Sequence, residues 1–180
     1  MASSPLPDHV SRIQDEWRRA RPDLDTSPLG IIGRLHRIAL ALTDEITEVY
    51  ARFDLSEAEF DLLAALRRAD PPHERSAGEL AAHTMVTTGG LTKRVDRLVE
   101  RGLVQRSTAA DDARRRVVGL TPAGVRLIDR AFTAHIANEH RLIDTLPDAD
   151  AAALERILIR WSATLADDPV TSAGQAASSR

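Results

Sequence analysis

The chain has 180 residues, which suits one ordinary domain or two tightly fused halves. Its 43% hydrophobic content supports a sizeable core, but with only 3% aromatics that core must be built from Leu, Ile, Val and Ala. It holds no cysteine, which excludes disulfides, thiolate metal sites and thiol redox sensing, and its formal net charge is a modest −3.

In chain order, residues 1–8 and 167–180 are rich in Ala, Ser, Pro and Gly and are expected to be disordered. Val10, Ile13 and Trp17 share one face of a short helix near 9–20, which Arg-Pro-Asp-Leu-Asp (21–25) breaks. Ser27 followed by Pro28 reads as a cap and a first helical proline, opening a long helix to about Arg52. Ser56 with Glu59, and Ser76 with Glu79, each fit S-x-x-E, in which serine and carboxylate satisfy each other's orphan amides. They predict helices near 57–69 and 77–83, separated by Pro71-Pro72. Thr84-Met85-Val86 is then a three-residue turn into a helix over 87–101, ended by Gly102 in a left-handed cap. Leu103–Ser107 and Val117–Leu120 read as strands joined by a polar hairpin tip. Thr121-Pro122 opens a helix to about Thr145, and a last helix near 148–166 carries Leu154, Ile157, Leu158, Trp161 and Leu165 on one stripe. The expected fold is mainly α, a winged helix-turn-helix with N- and C-terminal dimerisation helices. Its parts are the N-terminal and dimerisation helices at 9–55, the DNA-binding lobe at 56–120 and the C-terminal dimerisation helices at 121–166.

Charge is concentrated where that lobe would meet DNA. Residues 84–116 carry eight Lys/Arg and four acids, although the whole chain is acidic. On the helix over 87–101, Leu91, Val95 and Leu98 form the inward stripe, and Lys93 falls nearly opposite it. Gly89 and Arg97 lie on the same outer side, with Thr88 and Thr92 on the flank, so this face is expected to enter a major groove. Gly89 and Gly90 lower helix propensity by ~1 kcal/mol each relative to Ala. Close approach of the backbone to DNA or a simple packing constraint would each explain them. The hairpin tip presents Arg114, Arg115 and Arg116, with Asp112 placed to orient an arginine in the minor groove. A salt-bridged surface loop is the alternative for that tip.

Ile31, Leu35, Ile38 and Leu42 form an apolar stripe on the 28–52 helix, and Ile128, Phe132, Ile136, Leu142, Ile143 and the 154–165 stripe add more. A second copy would bury these faces and set two reading helices about one duplex turn apart, matching a palindromic operator. An intrachain helical core is the alternative.

These residues resemble the MarR family over about 28–166. The resemblance rests on Thr-Thr-Gly-Gly-Leu-Thr-Lys-Arg-Val-Asp-Arg-Leu (87–98), Arg-Gly-Leu-Val (101–104), Asp112-x-Arg114 and Leu-Thr-Pro-Ala-Gly (120–124). Ala113 departs mildly from the basic or small residue usual in that wing. The resemblance implies a homodimeric regulator, usually a repressor, released from DNA by a small, often anionic aromatic ligand. It is sharpest toward the urate-responsive branch, whose pattern implies a ligand site at Trp17, Asp61, Arg94 and Arg106. The residues agree in part. Asp61 is the only charge between Phe60 and Leu66, and Arg94 lies ~65° from the inward stripe, toward the protein body. Two guanidinium forks suit a planar anion, and an indole can cover a purine-like ring. A structural Asp61–Arg94 pair, a core Trp17 and a phenolic or carboxylic ligand are the alternatives.

The six histidines show no metal-ligand spacing, and neither a nucleophile elbow nor a phosphate loop is present, so no enzyme, metal or cofactor is expected. No apolar run approaches the ~18–20 residues needed to cross a bilayer, and the first residues lack an export signal, so a cytoplasmic protein without a membrane role is expected. A winged-helix module that meets an acidic protein instead of DNA is the rival from another class. A salt series on duplex binding separates the two.

Overall fold

Short side-chain caps set where most helices begin. Asp8, read from sequence as the end of a disordered leader, caps α1 (His9–Ala20), its carboxylate accepting the Ser11 amide proton at 2.8 Å. α3 (Glu57–Arg67) and α4 (Ala77–His83) both start in complete capping boxes, on Ser56/Glu59 and Ser76/Glu79. α2 (Leu29–Ala51) differs from expectation. Pro28 is already helical at φ −60° and no side chain caps it. The reason is that Ser27 is drawn into a turn, its amide and hydroxyl both donating to Asp25 at 2.9 Å. The computed structural model describes residues 8–84, 90–108 and 115–166.

Beyond α4, the chain forms α5 (Leu91–Glu100), β2 (Val104–Thr108), β3 (Arg116–Leu120), α6 (Pro122–Ile143) and α7 (Asp148–Ala166). One element was not foreseen. Glu74–Ser76 is a strand, β1, which pairs antiparallel with β3 through Glu74↔Gly119 and Ser76↔Val117. Three residues are too short to show a period of two, and Ser76 doubles as the cap of α4, which masks the strand. The sheet order is β1-β3-β2, with β2 and β3 in register from Val104↔Leu120 to Thr108↔Arg116. Helices with a small antiparallel sheet make this a winged helix-turn-helix fold.

Contacts divide the chain into two units, Met1–His135 and Ile136–Arg180. In the first, the core is built mainly on α3, with Leu62, Leu63 and Leu66 almost fully enclosed. Leu80 of α4, Leu98 of α5 and Val104 of β2 close on them. Burying each such leucine contributes about 1.5–3 kcal/mol. Tyr50 stacks on Phe60 with ring centroids 4.0 Å apart. Ile128, assigned from sequence to the dimer face, lies in this core at 1% exposure, because the first turns of α6 pack inward. In the second unit, Asp148 and Asp150 sit in the first turn of α7, where carboxylates complement the helix dipole. No described helix is long and apolar enough to cross a membrane.

α1 docks along α2. Val10 is buried against Gly33, the Gln14 amide donates to the Thr26 carbonyl at 3.1 Å, and Arg34 forks onto Asp8 with both contacts at 2.8 Å. The Ser11 amide and then Arg34 hold the Asp8 carboxyl at about 2, down from 3.8. A lowered folded-state value means the stabilisation is complete above about pH 4 and is lost as pH falls toward 2. α1 is therefore expected to loosen across that window. Trp17 fluorescence in a Trp161→Phe background reads it, and Asp8→Asn should show the loosened signal already at pH 7. A Trp17 signal in Asp8→Asn identical to the parent's would show that this contact does not hold α1.

Candidate nucleic-acid interface

Helix α5 begins at a left-handed residue. Gly90 has φ +88° and ψ 4° and caps the helix from outside, its carbonyl accepting the Arg94 amide proton at 3.0 Å. This corrects the expectation that Gly90 lies within a helix. Its glycine is required by backbone conformation, since a side chain there would be strained. Thr88 and Gly89, together with the expected start of that helix, lie outside the described residues, as do Asp112 and Arg114 of the hairpin tip.

Within α5 the inward stripe is as expected. Val95 and Leu98 are buried and Leu91 is half-buried. Lys93 is exposed on the outer side and Thr92 is exposed on its flank. The two flanks carry ion pairs of opposite polarity. On one, Arg97 faces Glu59 at 3.6 Å and Arg101 faces Asp54 at 3.2 Å. On the other, Asp96 meets Arg106 of β2 at 2.6 Å. Beside α5, Arg115 and Arg116 are exposed at the start of β3. Arg115 comes within 3.9 Å of Glu79 on α4, and Arg116 donates to the Thr108 hydroxyl at 3.3 Å. Helix, cap and wing thus place Thr92, Lys93, Arg115 and Arg116 on short, locally braced elements.

The four residues suggested for a ligand are distributed as follows. Trp17 is half-exposed on α1. Asp61 is half-buried on α3 and Arg94 half-buried on α5, with the Arg94 guanidinium curled back over Gly90. Arg106 lines a cleft of about 210 Å³ with Leu80, Leu91, Val95 and Arg116. Its carboxylate partner there is Asp96.

Residues 53–115 match the profile of the MarR family. Over 84% of its length the chain is 34% identical to the HTH-type transcriptional regulator PecS of Dickeya dadantii (strain 3937), spanning 91% of that protein. This chain belongs to the MarR family of DNA-binding transcriptional regulators. Solved structures agree on the fold. AbsC, a MarR family regulator from Streptomyces coelicolor, superposes with TM-score 0.69 at 22% identity, covering 81% of this chain and 99% of AbsC. Sco3205 from the same organism, solved in complex with DNA, gives 0.66 at 23% identity, covering 79% and 94%.

In this MarR-family chain, sequence reasoning missed Asp54, Glu59 and Arg101. The S-x-x-E spacing reveals that Glu59 caps α3, but not that its second oxygen faces a helix nearly forty residues on. Only the tertiary fold supplies that. Glu59 is the buried charged side chain among the described residues. Burial opposes its charge, yet the Ser56 amide and hydroxyl, with Arg97 and Arg101 behind them, hold its carboxyl below the usual range.

Proposed function

We propose that this regulator acts as a homodimer on a palindromic operator, as a repressor that a small anionic ligand releases, with urate or a related purine favoured. The supporting observation is the exposed outer side of α5, with Lys93 on it and Thr92 on its flank, together with exposed Arg116 at the start of β3 and Arg115 just before it. A major groove admits such a helix, and a protruding cationic hairpin suits the narrow minor groove. Thr88 and Gly89 extend the groove contact in this proposal, and Asp112 and Arg114 extend the wing. Dimer formation is supported by apolar faces in both units. Ile31 and Ile38 are at least half exposed on α2, as Ile157 and Leu165 are on α7. Such surface is costly to leave in water and suits a self-complementary contact.

Ligand release is supported by the placement of two arginines at the reading helix. Arg94 is part of α5, and Arg106 joins β2 to α5 through Asp96. An anion that drew Arg106 away would free Asp96 and change how helix and wing are joined. That gives binding at one place a differential effect on the other, which coupling requires. Trp17 and Asp61 complete the proposed site. The test is duplex binding to DNA from upstream of the protein's own coding sequence, titrated with urate, xanthine and salicylate. Urate is expected to release wild type at lower concentration than salicylate, and to release Arg94→Ala and Asp61→Ala at least about tenfold less readily, as the loss of a charge-assisted contact implies. Equal release of all three proteins by urate would remove the four-residue site, and release by salicylate alone would favour the carboxylic ligand.

A further inference from the structure

α5 must be held at a fixed roll about its own axis if its outer face is to meet the same base edges each time. A turn of 3.6 residues puts successive side chains about 100° apart. Arg97 and Arg101 therefore fall on one flank of α5, Asp96 on the other, and Lys93 between them. Sequence position alone assigns Arg97 to the groove-facing side. The structure gives its side chain a different neighbour. Arg97 Nε lies 3.6 Å from Glu59 Oε1, and the Glu59 side chain is 8% exposed where that of Arg97 is 52% exposed. That distance is an ion pair without a hydrogen bond.

The two oxygens of Glu59 have separate tasks. Oε2 accepts from the Ser56 amide at 2.9 Å and from the Ser56 hydroxyl at 2.8 Å, which fixes the carboxylate to the first turn of α3. Oε1 is left to face Arg97. A carboxylate fixed this way cannot follow α5 if the helix rolls, so it marks one angular position for it. Asp54 and Arg101 add a second pair one turn further along the same flank. These residues line a cleft of about 520 Å³ between the end of α2, the start of α3 and α5.

We infer that Arg97 is a positioning residue, which sets the roll of the reading helix through buried Glu59, and is not a phosphate contact. This rests on α5 being the DNA-reading helix. The consequence is a separation of two properties. Losing a phosphate contact weakens binding to every sequence and lowers its salt dependence. Losing the roll constraint leaves the phosphate contacts in number but degrades sequence discrimination.

The experiment measures binding of the full chain over a salt series. One duplex comes from upstream of its own coding sequence and one is a random sequence of equal length. Arg97→Gln is expected to keep the wild-type salt slope on both duplexes while its discrimination between them falls about tenfold, within the range seen for residues that modulate a site without touching the ligand. Arg97→Lys keeps a cation opposite Glu59 and should restore most of the discrimination. Glu59→Gln, which can still accept from Ser56, should reproduce Arg97→Gln, and the double variant should be no worse than either. A direct base contact by Arg97 would lower discrimination in Arg97→Gln but not in Glu59→Gln; should Glu59→Gln fail to fold, Asp54→Asn, which removes the second pair on that flank and leaves Arg97 in place, is used instead and is expected to lower discrimination as well. A slope lower by ~0.9 in Arg97→Gln would mean one lost phosphate contact and would overturn the inference. So would discrimination unchanged from wild type. A wild-type protein that binds both duplexes equally and without salt dependence is a different result, and it would remove the DNA-reading assignment to α5 itself.

Discussion

Replacing Gly124 with alanine is expected to destabilise the first unit by about 3 kcal/mol or more, at the upper end of what overpacking costs. Helix propensity alone forecasts the opposite sign. Gly124 lies in the first turn of α6, where alanine is favoured over glycine by ~1 kcal/mol. The structure overrides that preference. A methyl group at Gly124 would sit 2.0 Å from the Leu103 carbonyl oxygen and 3.0 Å from its carbon. That oxygen has little room to retreat, because it accepts the Thr121 amide at 3.1 Å and the Thr121 hydroxyl at 3.2 Å. Thr121 in turn accepts the Gly124 amide at 3.0 Å. A side chain at 124 therefore strikes the joint that connects α5, β2 and α6, and relief in one place breaks a hydrogen bond in another. Urea unfolding followed by far-UV circular dichroism measures the effect as a lower midpoint at unchanged slope. A variant as stable as wild type would show that the α6 start is not packed against Leu103.

That joint also shows how far sequence reasoning reaches. Thr121-Pro122 announces the start of α6, and Gly102 announces the end of α5 with its φ of +66°. Both are local signals, carried by the preferences of a few adjacent residues. The inward stripe of Leu91, Val95 and Leu98 was legible for the same reason, since a helix repeats its faces every three or four residues. The requirement for glycine at 124 was not, because Leu103 is twenty-one residues away and only tertiary packing brings its carbonyl there. Gly90 was misplaced because sequence registers low helix propensity but not the sign of φ, and a left-handed cap and a tolerated interior glycine look alike.

The same division holds at the candidate site. The residue types on the outer face of α5 and at the wing were readable from periodicity and charge. The pairs across elements, Glu59 with Arg97 and Asp96 with Arg106, were not. Each joins residues at least ten positions apart, on elements whose relative placement no local pattern encodes. The Asp96–Arg106 pair is half-exposed on both sides, so its direct contribution to stability is small. Its proposed importance is geometric, because it joins α5 to β2 at the place where the proposed anion would compete for Arg106.

The largest effect on DNA binding is expected from α7 and not from the reading head. Ile157 is 50% exposed on a helix whose Leu154, Leu158 and Leu165 are exposed as well. In the proposed two-fold dimer every substitution occurs twice, so Ile157→Glu would bring two carboxylates into one apolar contact, where their desolvation outweighs what Arg160, one turn further on, could offset. Each unpaired buried charge costs several kcal/mol, which exceeds what most such interfaces can absorb. The expected result is a folded monomer, seen by light scattering as half the wild-type mass with unchanged helical signal. A monomer engages a half-site only. Losing the second head removes the effective-concentration gain of two linked sites, which is commonly 10²–10⁴-fold, so operator affinity should fall by ~10³. Half-site affinity and its salt slope should stay as in wild type, because Lys93, Arg115 and Arg116 are untouched. Ile157→Leu preserves the apolar contact and should leave both mass and affinity near wild type. Ile157→Glu at wild-type mass would place the dimer contact elsewhere. A folded monomer that kept full operator affinity would mean that one head suffices and that the palindrome is not read by two.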